Sequence, residues 1–251
     1  MTGPVRPLKL LTFAPMVDSE TTRLLCRWYG IDYVEADHLF GWVSVLTILH
    51  GGYGRVPLLY GKGLQLSGPR PVVDRYDPLA VPARRLLPAW PDTAAVDADW
   101  EAYNGPFALA VATFAYYHLL PSRALMGPIF AESVPRAEAS ITPAVYPLLR
   151  GLFTLLLRLS PAKAQAAGEH IRAVFAATDR RLADGRPFLC GDRLTLGDIA
   201  LAGASAPLLQ PQGYGATMPP VDQMPPAIRS FIGELHGHQT ARYVERVYAA
   251  I

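Results

Sequence analysis

The pattern of the chain changes once, at a stretch dense in proline. Asp77 to Pro91 carries Pro78, Pro82, Pro88 and Pro91, which removes backbone donors and fixes φ too often for an element interior. Before it, short apolar runs alternate with helical patterns; after it, only helical patterns occur. This predicts two units joined by a linker: an α/β unit over 6–78, the linker over 79–94 and an all-helical unit over 95–251. The 251 residues are 51% hydrophobic and 18% charged, enough apolar matter for both cores and too much for a disordered chain.

In the first unit, Leu8 to Phe13 reads as a buried strand stopped by Ala14-Pro15. A helix is expected from about Ser19 to Tyr29. Ser19 or Asp18 caps it, Glu20 suits its positive end and Gly30 stops it. Tyr33 to Glu35 is a second strand, Val43 to Leu49 a helix, and Arg55 to Tyr60 a third strand. Gly61-Lys62-Gly63 turns the chain into Leu64-Gln65-Leu66, and Arg70 to Tyr76 closes the unit as a short helix. In the second unit, helices are expected over Trp100 to Leu120, Pro143 to Leu159, Ala164 to Ala183, Thr195 to Leu209 and Ile228 to Ala250. The fourth carries the strongest local signal: Thr195 and Asp198 form a capping box, with Leu194 and Ile199 at the staple positions.

Several functions find little support. Lys plus Arg is 23 against 21 for Asp plus Glu, without the basic excess of a dedicated nucleic-acid binder. Cys26 and Cys190 have no ligand partner at short spacing, and the histidines form no His-Glu-x-x-His pattern, so no metal is expected. Both cysteines read as small buried hydrophobes. Gly51-Gly52-Tyr53-Gly54 lacks the lysine and hydroxyl of a phosphate loop and reads as a turn. No signal peptide is visible and no uninterrupted apolar run reaches the length of a membrane span, which makes a cytoplasmic protein the default. Tyr146 to Leu159 is the most apolar stretch, either a packing helix or one lying on a membrane, with Arg150 and Arg158 about its middle.

The run Thr21 to Ile31, the segment Arg55-Val56-Pro57-Leu58-Leu59, the turn into Leu66-Ser67-Gly68-Pro69-Arg70 and the stretch Cys190 to Ala200 together resemble the glutathione transferase-like family. The resemblance implies a thioredoxin-like N-terminal domain followed by an all-α C-terminal domain. It implies a cis Val56–Pro57 bond with the Val56 backbone pairing with the cysteinyl part of glutathione; the residues alone leave a trans proline at a strand entrance equally open. It places a small thiol near Met16, Val56, Pro57, Ser67 and Arg70. It also implies a pocket for a hydrophobic small molecule, formed by His38 and Trp42 on one side and Tyr103, Asn104, Phe107 and Tyr117 on the other. A homodimer is expected on the same ground.

The departures from the family bear on chemistry. Where members carry Glu-Ser or Gln-Ser, this chain has Gly68-Pro69, with neither a side chain for an ammonium nor a hydroxyl or N–H. Met16 stands where one subgroup has its cysteine, so mixed-disulfide chemistry is not expected. Ser19 remains as a hydroxyl at a helix start, where amides favour a thiolate; the alternative is a plain cap. Asp18 is the second candidate, as a base or a partner for a cationic group. The leading expectation is an enzyme that adds glutathione or another small thiol to a hydrophobic electrophile, or uses it in isomerisation. A non-catalytic binding or scaffold protein and a thiol-independent enzyme of the cleft are the alternatives.

Overall fold

The computed structural model describes residues 7–89 and 92–251; residue 6 and Pro91, both included in the sequence reading, lie outside them. Its sheet has four strands in the order β2-β1-β3-β4. β1 (Leu8–Thr12) pairs parallel with β2 (Tyr33–Asp37) and antiparallel with β3 (Leu58–Gly61). β4 (Leu64–Ser67) returns beside β3 through Lys62 and Gly63, both at positive φ, the geometry of a two-residue hairpin turn. Leu10, Leu11, Leu58 and Leu59 are buried on the two inner strands. α1 (Val17–Tyr29), α2 (Trp42–Leu49) and α3 (Pro69–Tyr76) complete this unit.

The helical unit runs through α4 (Asp92–Ala102), a π-turn (Tyr103–Phe107), α5 (Ala108–Leu119), α6 (Arg123–Glu132), α7 (Arg136–Leu156), α8 (Pro161–Arg181), α9 (Leu196–Leu209), α10 (Pro226–His236) and α11 (Gln239–Ala250). Every residue of α9 is buried. It packs on α1 so closely that a Cβ on Gly203 would lie 2.6 Å from Thr21 Oγ1, and one apolar core continues from β1 into α11. Buried Glu20 strengthens that junction: its carboxylate accepts from Arg23 at 2.9 Å, from the Tyr248 hydroxyl at 2.9 Å and from Gly215 N–H at 3.1 Å. Asp77 anchors the start of the proline-rich segment, accepting from Tyr29 and from Leu86 N–H.

Several boundaries differ from those read in the sequence. α1 starts at Val17, and its N-cap is Met16 with no side-chain bond, so neither Ser19 nor Asp18 caps it. Gly30, at φ 65°, does end it. α7 starts seven residues earlier than expected and contains Pro143 and Pro147. Pro147 has no N–H for the carbonyl of Pro143, and the Arg123 guanidinium donates to that carbonyl instead, at 2.8 Å. α6 is a helix outside those expected from the sequence, and it contains Gly127 and Pro128. The C-terminal helix is two, divided at Gly237-His238. Cys26 is fully buried, Cys190 only partly. Among the described residues one helix, Arg136–Leu156, is long and apolar enough to cross a membrane by length and composition, which the interrupted sequence runs did not suggest.

Candidate active-site cleft

β1 ends at Thr12 and the chain turns at once, with Met16 N–H donating to Phe13 carbonyl at 3.0 Å. This tight turn sets Met16 and Asp18 at the mouth of α1, facing the end of α4 and the π-turn after it. There the helix carries Gly105-Pro106, and Pro106 has no N–H to complete an α-helical turn; the chain widens into a π-turn. Asn104 on that turn faces Asp18.

Two adjoining chambers result. A polar one of about 570 Å³ is lined by Arg55, Val56, Ser67 and Arg70 from the sheet unit and by Trp100 and Asn104 from the helical unit. An apolar one of about 230 Å³ is lined by Phe13, Leu109, Ala112, Tyr116, Phe153 and Leu157. Met16, Asp18 and Phe40 border both. Aromatic contacts shape the apolar wall: Phe153 lies 4.6 Å from Phe40, 4.5 Å from Tyr116 and 5.7 Å from Phe13, centroid to centroid.

Among the described residues, Asp18 is the one carboxyl that lines either chamber. Burial pushes its pKa up to about 6, with Asn104 partly opposing the rise. The Asn104 Oδ1 is itself buried without a hydrogen-bond partner, an acceptor left for a bound molecule. Burial also raises the Tyr116 phenol well above its ordinary range, so it stays protonated. A carboxyl that titrates near neutrality beside an apolar cavity can accept or return a proton at physiological pH.

The other candidates are distributed unevenly. Met16, Val56, Ser67, Arg70 and Asn104 line the polar chamber. The Val56–Pro57 bond is cis, and Pro57 is buried beneath it, its carbonyl accepting from Gly68 N–H at 2.8 Å. Ser67 donates to Gly52 carbonyl at 3.1 Å, and Arg70 is paired with Asp74 at 3.0 Å and Asp97 at 2.8 Å. Ser19 sits inside α1, fully buried, its hydroxyl donating to Phe13 carbonyl at 3.0 Å, and it lines neither chamber. His38 is held by Glu138 at 2.6 Å. Trp42 is half exposed at the start of α2, and Phe107 is fully buried next to Tyr103. Tyr117 packs on His118. None of these five lines either chamber. Tyr116, one position before Tyr117, does; one residue along a helix is a 100° rotation. Phe13, Phe40 and Phe153 were not singled out, because strand-end and helix aromatics read as ordinary core until the two units meet.

The start of α3 lacks the donors that a carboxylate site needs. Gly68 is its N-cap, and Pro69 and Pro71 occupy its first turn without an N–H. That leaves little of the anion-binding capacity a helix N-terminus ordinarily has.

Comparison with known proteins gives the architecture a family context. Residues 161–209 match the family model described as the glutathione S-transferase C-terminal domain. No curated protein sequence matches the chain. Among solved structures, FzlA from C. crescentus is 18% identical with a TM-score of 0.56, covering 98% of this chain and 92% of its own. Glutathione transferase F2 from Populus trichocarpa is 12% identical with a TM-score of 0.56, covering 98% and 100%. A theta class glutathione S-transferase from Xanthomonas axonopodis pv. citri, solved with glutathione bound, is 17% identical with a TM-score of 0.51, covering 96% and 98%. With a small thioredoxin-like sheet unit leading into an all-helical domain, the chain is glutathione transferase-like in fold, and residues 161–209 match the model of that family's C-terminal domain.

Proposed function

We propose that the protein is an enzyme that adds a small thiol to a hydrophobic electrophile, with Asp18 as proton acceptor. The observation that carries this reading is the place of Asp18, bordering a polar chamber lined by Val56, Ser67 and Arg70 and an apolar chamber walled by aromatic rings. A thiol in the first chamber and an electrophile in the second would meet at this carboxyl. As sulfur bonds to the electrophile, the thiol proton passes to the Asp18 carboxylate and then to the departing group. The carboxyl is neutral once it holds that proton, so two negative charges never face each other there. The thiol is the nucleophile, and the enzyme supplies proximity and a base.

One observation favours a second reading, in which the thiol is not glutathione or the ligand is not a thiol. Gly68, Pro69 and Pro71 supply no side-chain donor or acceptor where a glutamyl group would lie, and Pro69 and Pro71 have no N–H. Losing one hydrogen bond to a charged group costs about 1.5–3 kcal/mol, at least tenfold in affinity. The active form is proposed to be a homodimer, a reading supported by the exposed Trp42, Ile48, Leu49 and Tyr53 of α2 and the turn after it.

The test is the rate of thioether formation from glutathione and chlorodinitrobenzene, with binding followed by calorimetry. Asp18→Asn is expected to lower kcat/KM by roughly 100-fold, the lower range for a general base, while leaving glutathione binding measurable. Equal rates in parent and variant remove Asp18 from the mechanism. No heat of glutathione binding at about 10 mM, well above the low-millimolar range, moves the assignment to another thiol or a thiol-free ligand.

A further inference from the structure

A second carboxylate reaches the cleft indirectly. Glu138 stands at the third position of α7, after the N-cap Pro135. A glutamate there ordinarily reaches back to the N–H of the cap, and proline has none. Its carboxylate turns to the sheet unit instead. One oxygen lies 2.6 Å from His38 Nδ1 and the other accepts from Leu39 N–H at 2.8 Å. Both side chains are largely withdrawn from water, His38 at 16% exposure and Glu138 at 13%.

These contacts grip the loop from His38 to Gly41 that joins β2 to α2. At its start, His38 N–H donates to the Thr12 carbonyl at 3.0 Å. At its end, Gly41 takes a φ of 86°, a conformation that favours glycine, and a Cβ there would lie 4.0 Å from Leu152 of α7. Between the two, Phe40 carries the loop into the cleft. It borders both chambers, and its ring lies 4.6 Å from Phe153 and 5.4 Å from Phe13, centroid to centroid. α7 thus holds the loop twice, by the Glu138 carboxylate in its first turn and by the Phe153 ring near its end.

The two units do not depend on this pair to stay together. The close approach of Gly203 to Thr21, the bonds of Glu20 and the continuous core already join them. What the carboxylate adds is the placement of the two residues immediately before Phe40. A ring that shapes a binding site is only as well placed as the hydrogen bonds that fix its backbone. We propose that Glu138 is a positioning residue for ligand binding: through His38 and Leu39 it holds Phe40 between the two chambers, and so sets the affinity of the apolar chamber for an aromatic ligand. The proposal rests on reading the apolar chamber as the electrophile's site, but not on Asp18 or on a thiol. His38, expected in the wall of the pocket, acts from behind it.

The test is fluorescence titration of the full chain with 1-naphthol, an uncharged aromatic probe. Glu138→Ala removes both contacts and is expected to weaken binding roughly tenfold, the worth of one well-placed aromatic contact. Glu138→Gln can still accept from Leu39 N–H and donate to His38 Nδ1, and should stay within about twofold of the parent. Glu138→Asp, which draws the carboxylate back by one methylene, should fall between them and serves where the alanine variant does not fold. Phe40→Ala should also weaken binding, and in that background Glu138→Ala should add nothing, because the carboxylate acts through the ring. In thioether formation from glutathione and chlorodinitrobenzene, Glu138→Ala should raise KM for chlorodinitrobenzene with little change in kcat. Equal affinity in parent and Glu138→Ala, a glutamine variant as weak as the alanine one, or a full effect of Glu138 without Phe40 overturns the proposal. So does a parent that binds no naphthol, since the apolar chamber then takes no aromatic ligand. A parent that gives the expected binding pattern but forms no thioether supports the proposal and counts against the thiol chemistry alone.

Discussion

Asp18 and Asp198 both lie in the first turn of a helix and are both largely withdrawn from water, yet they are used in opposite ways. Asp198, at the start of α9, is fully buried and its two oxygens accept from Leu189 N–H, Thr195 N–H, the Thr195 hydroxyl and the Tyr243 hydroxyl. Asp18, at the start of α1, faces one polar side chain, Asn104, across two open chambers. Burial raises the pKa of both. A carboxyl whose acceptor sites are filled holds the fold together; one left with empty sites beside a cavity is available for chemistry. The difference lies in the neighbours, since residue type and helix position are nearly the same.

The comparison breaks most visibly at Asp198. Replacing it with Ala strands four donors in a dry core, and Asp198→Ala is expected to destabilise the protein by roughly 3–5 kcal/mol, read by thermal or urea unfolding. A loss below about 1 kcal/mol would mean that α9 does not need its capping box. Asp18 should respond in the opposite direction. Its folded pKa of about 6 lies above the ordinary carboxylate value, so the folded state favours the protonated form. That contribution to stability is complete below about pH 4 and is lost as pH rises through 6. Asp18→Asn stays neutral at every pH, so it should match the parent near pH 4 and exceed it by on the order of 2 kcal/mol at pH 7 and above. Urea unfolding at the two pH values checks this, and a variant less stable at pH 7 would make Asp18 structural, like Asp198. The smallest effect concerns a third helix start. Pro69→Ser gives α3 back one N–H and one hydroxyl, and glutathione affinity measured by calorimetry should rise about tenfold. An unchanged affinity would place the ligand elsewhere in the polar chamber.

Much of the architecture was legible because it rests on local patterns. The alternation of strand and helix before residue 77, the Lys62-Gly63 turn, the Gly30 stop and the Thr195–Asp198 box each stand in the structure where the residues put them. The errors fall where tertiary contacts override a local signal. Pro143 looks like a helix start until the Arg123 guanidinium is seen to donate to its carbonyl, which Pro147 leaves without an N–H. Ser19 looks like a cap until its hydroxyl is seen to donate to the Phe13 carbonyl. In the cleft, Met16, Asp18, Val56, Ser67, Arg70 and Asn104 were nameable from the chain. Phe13, Phe40, Tyr116 and Phe153 were not, because periodicity marks an aromatic residue as apolar but not which neighbour it will face.

What the sequence determined alone is therefore the alternation of strand and helix before residue 77, the Lys62-Gly63 turn, the Gly30 stop and the capping box of α9, all set by interactions within a few residues. The tertiary structure decided which polar groups are already bonded and which are left facing a cavity. That distinction depends on residues far apart in the chain: Glu138 reaching His38, Tyr243 reaching Asp198, Asn104 standing opposite Asp18. The availability of a side chain is a property of its surroundings, and those exist only once distant segments have packed.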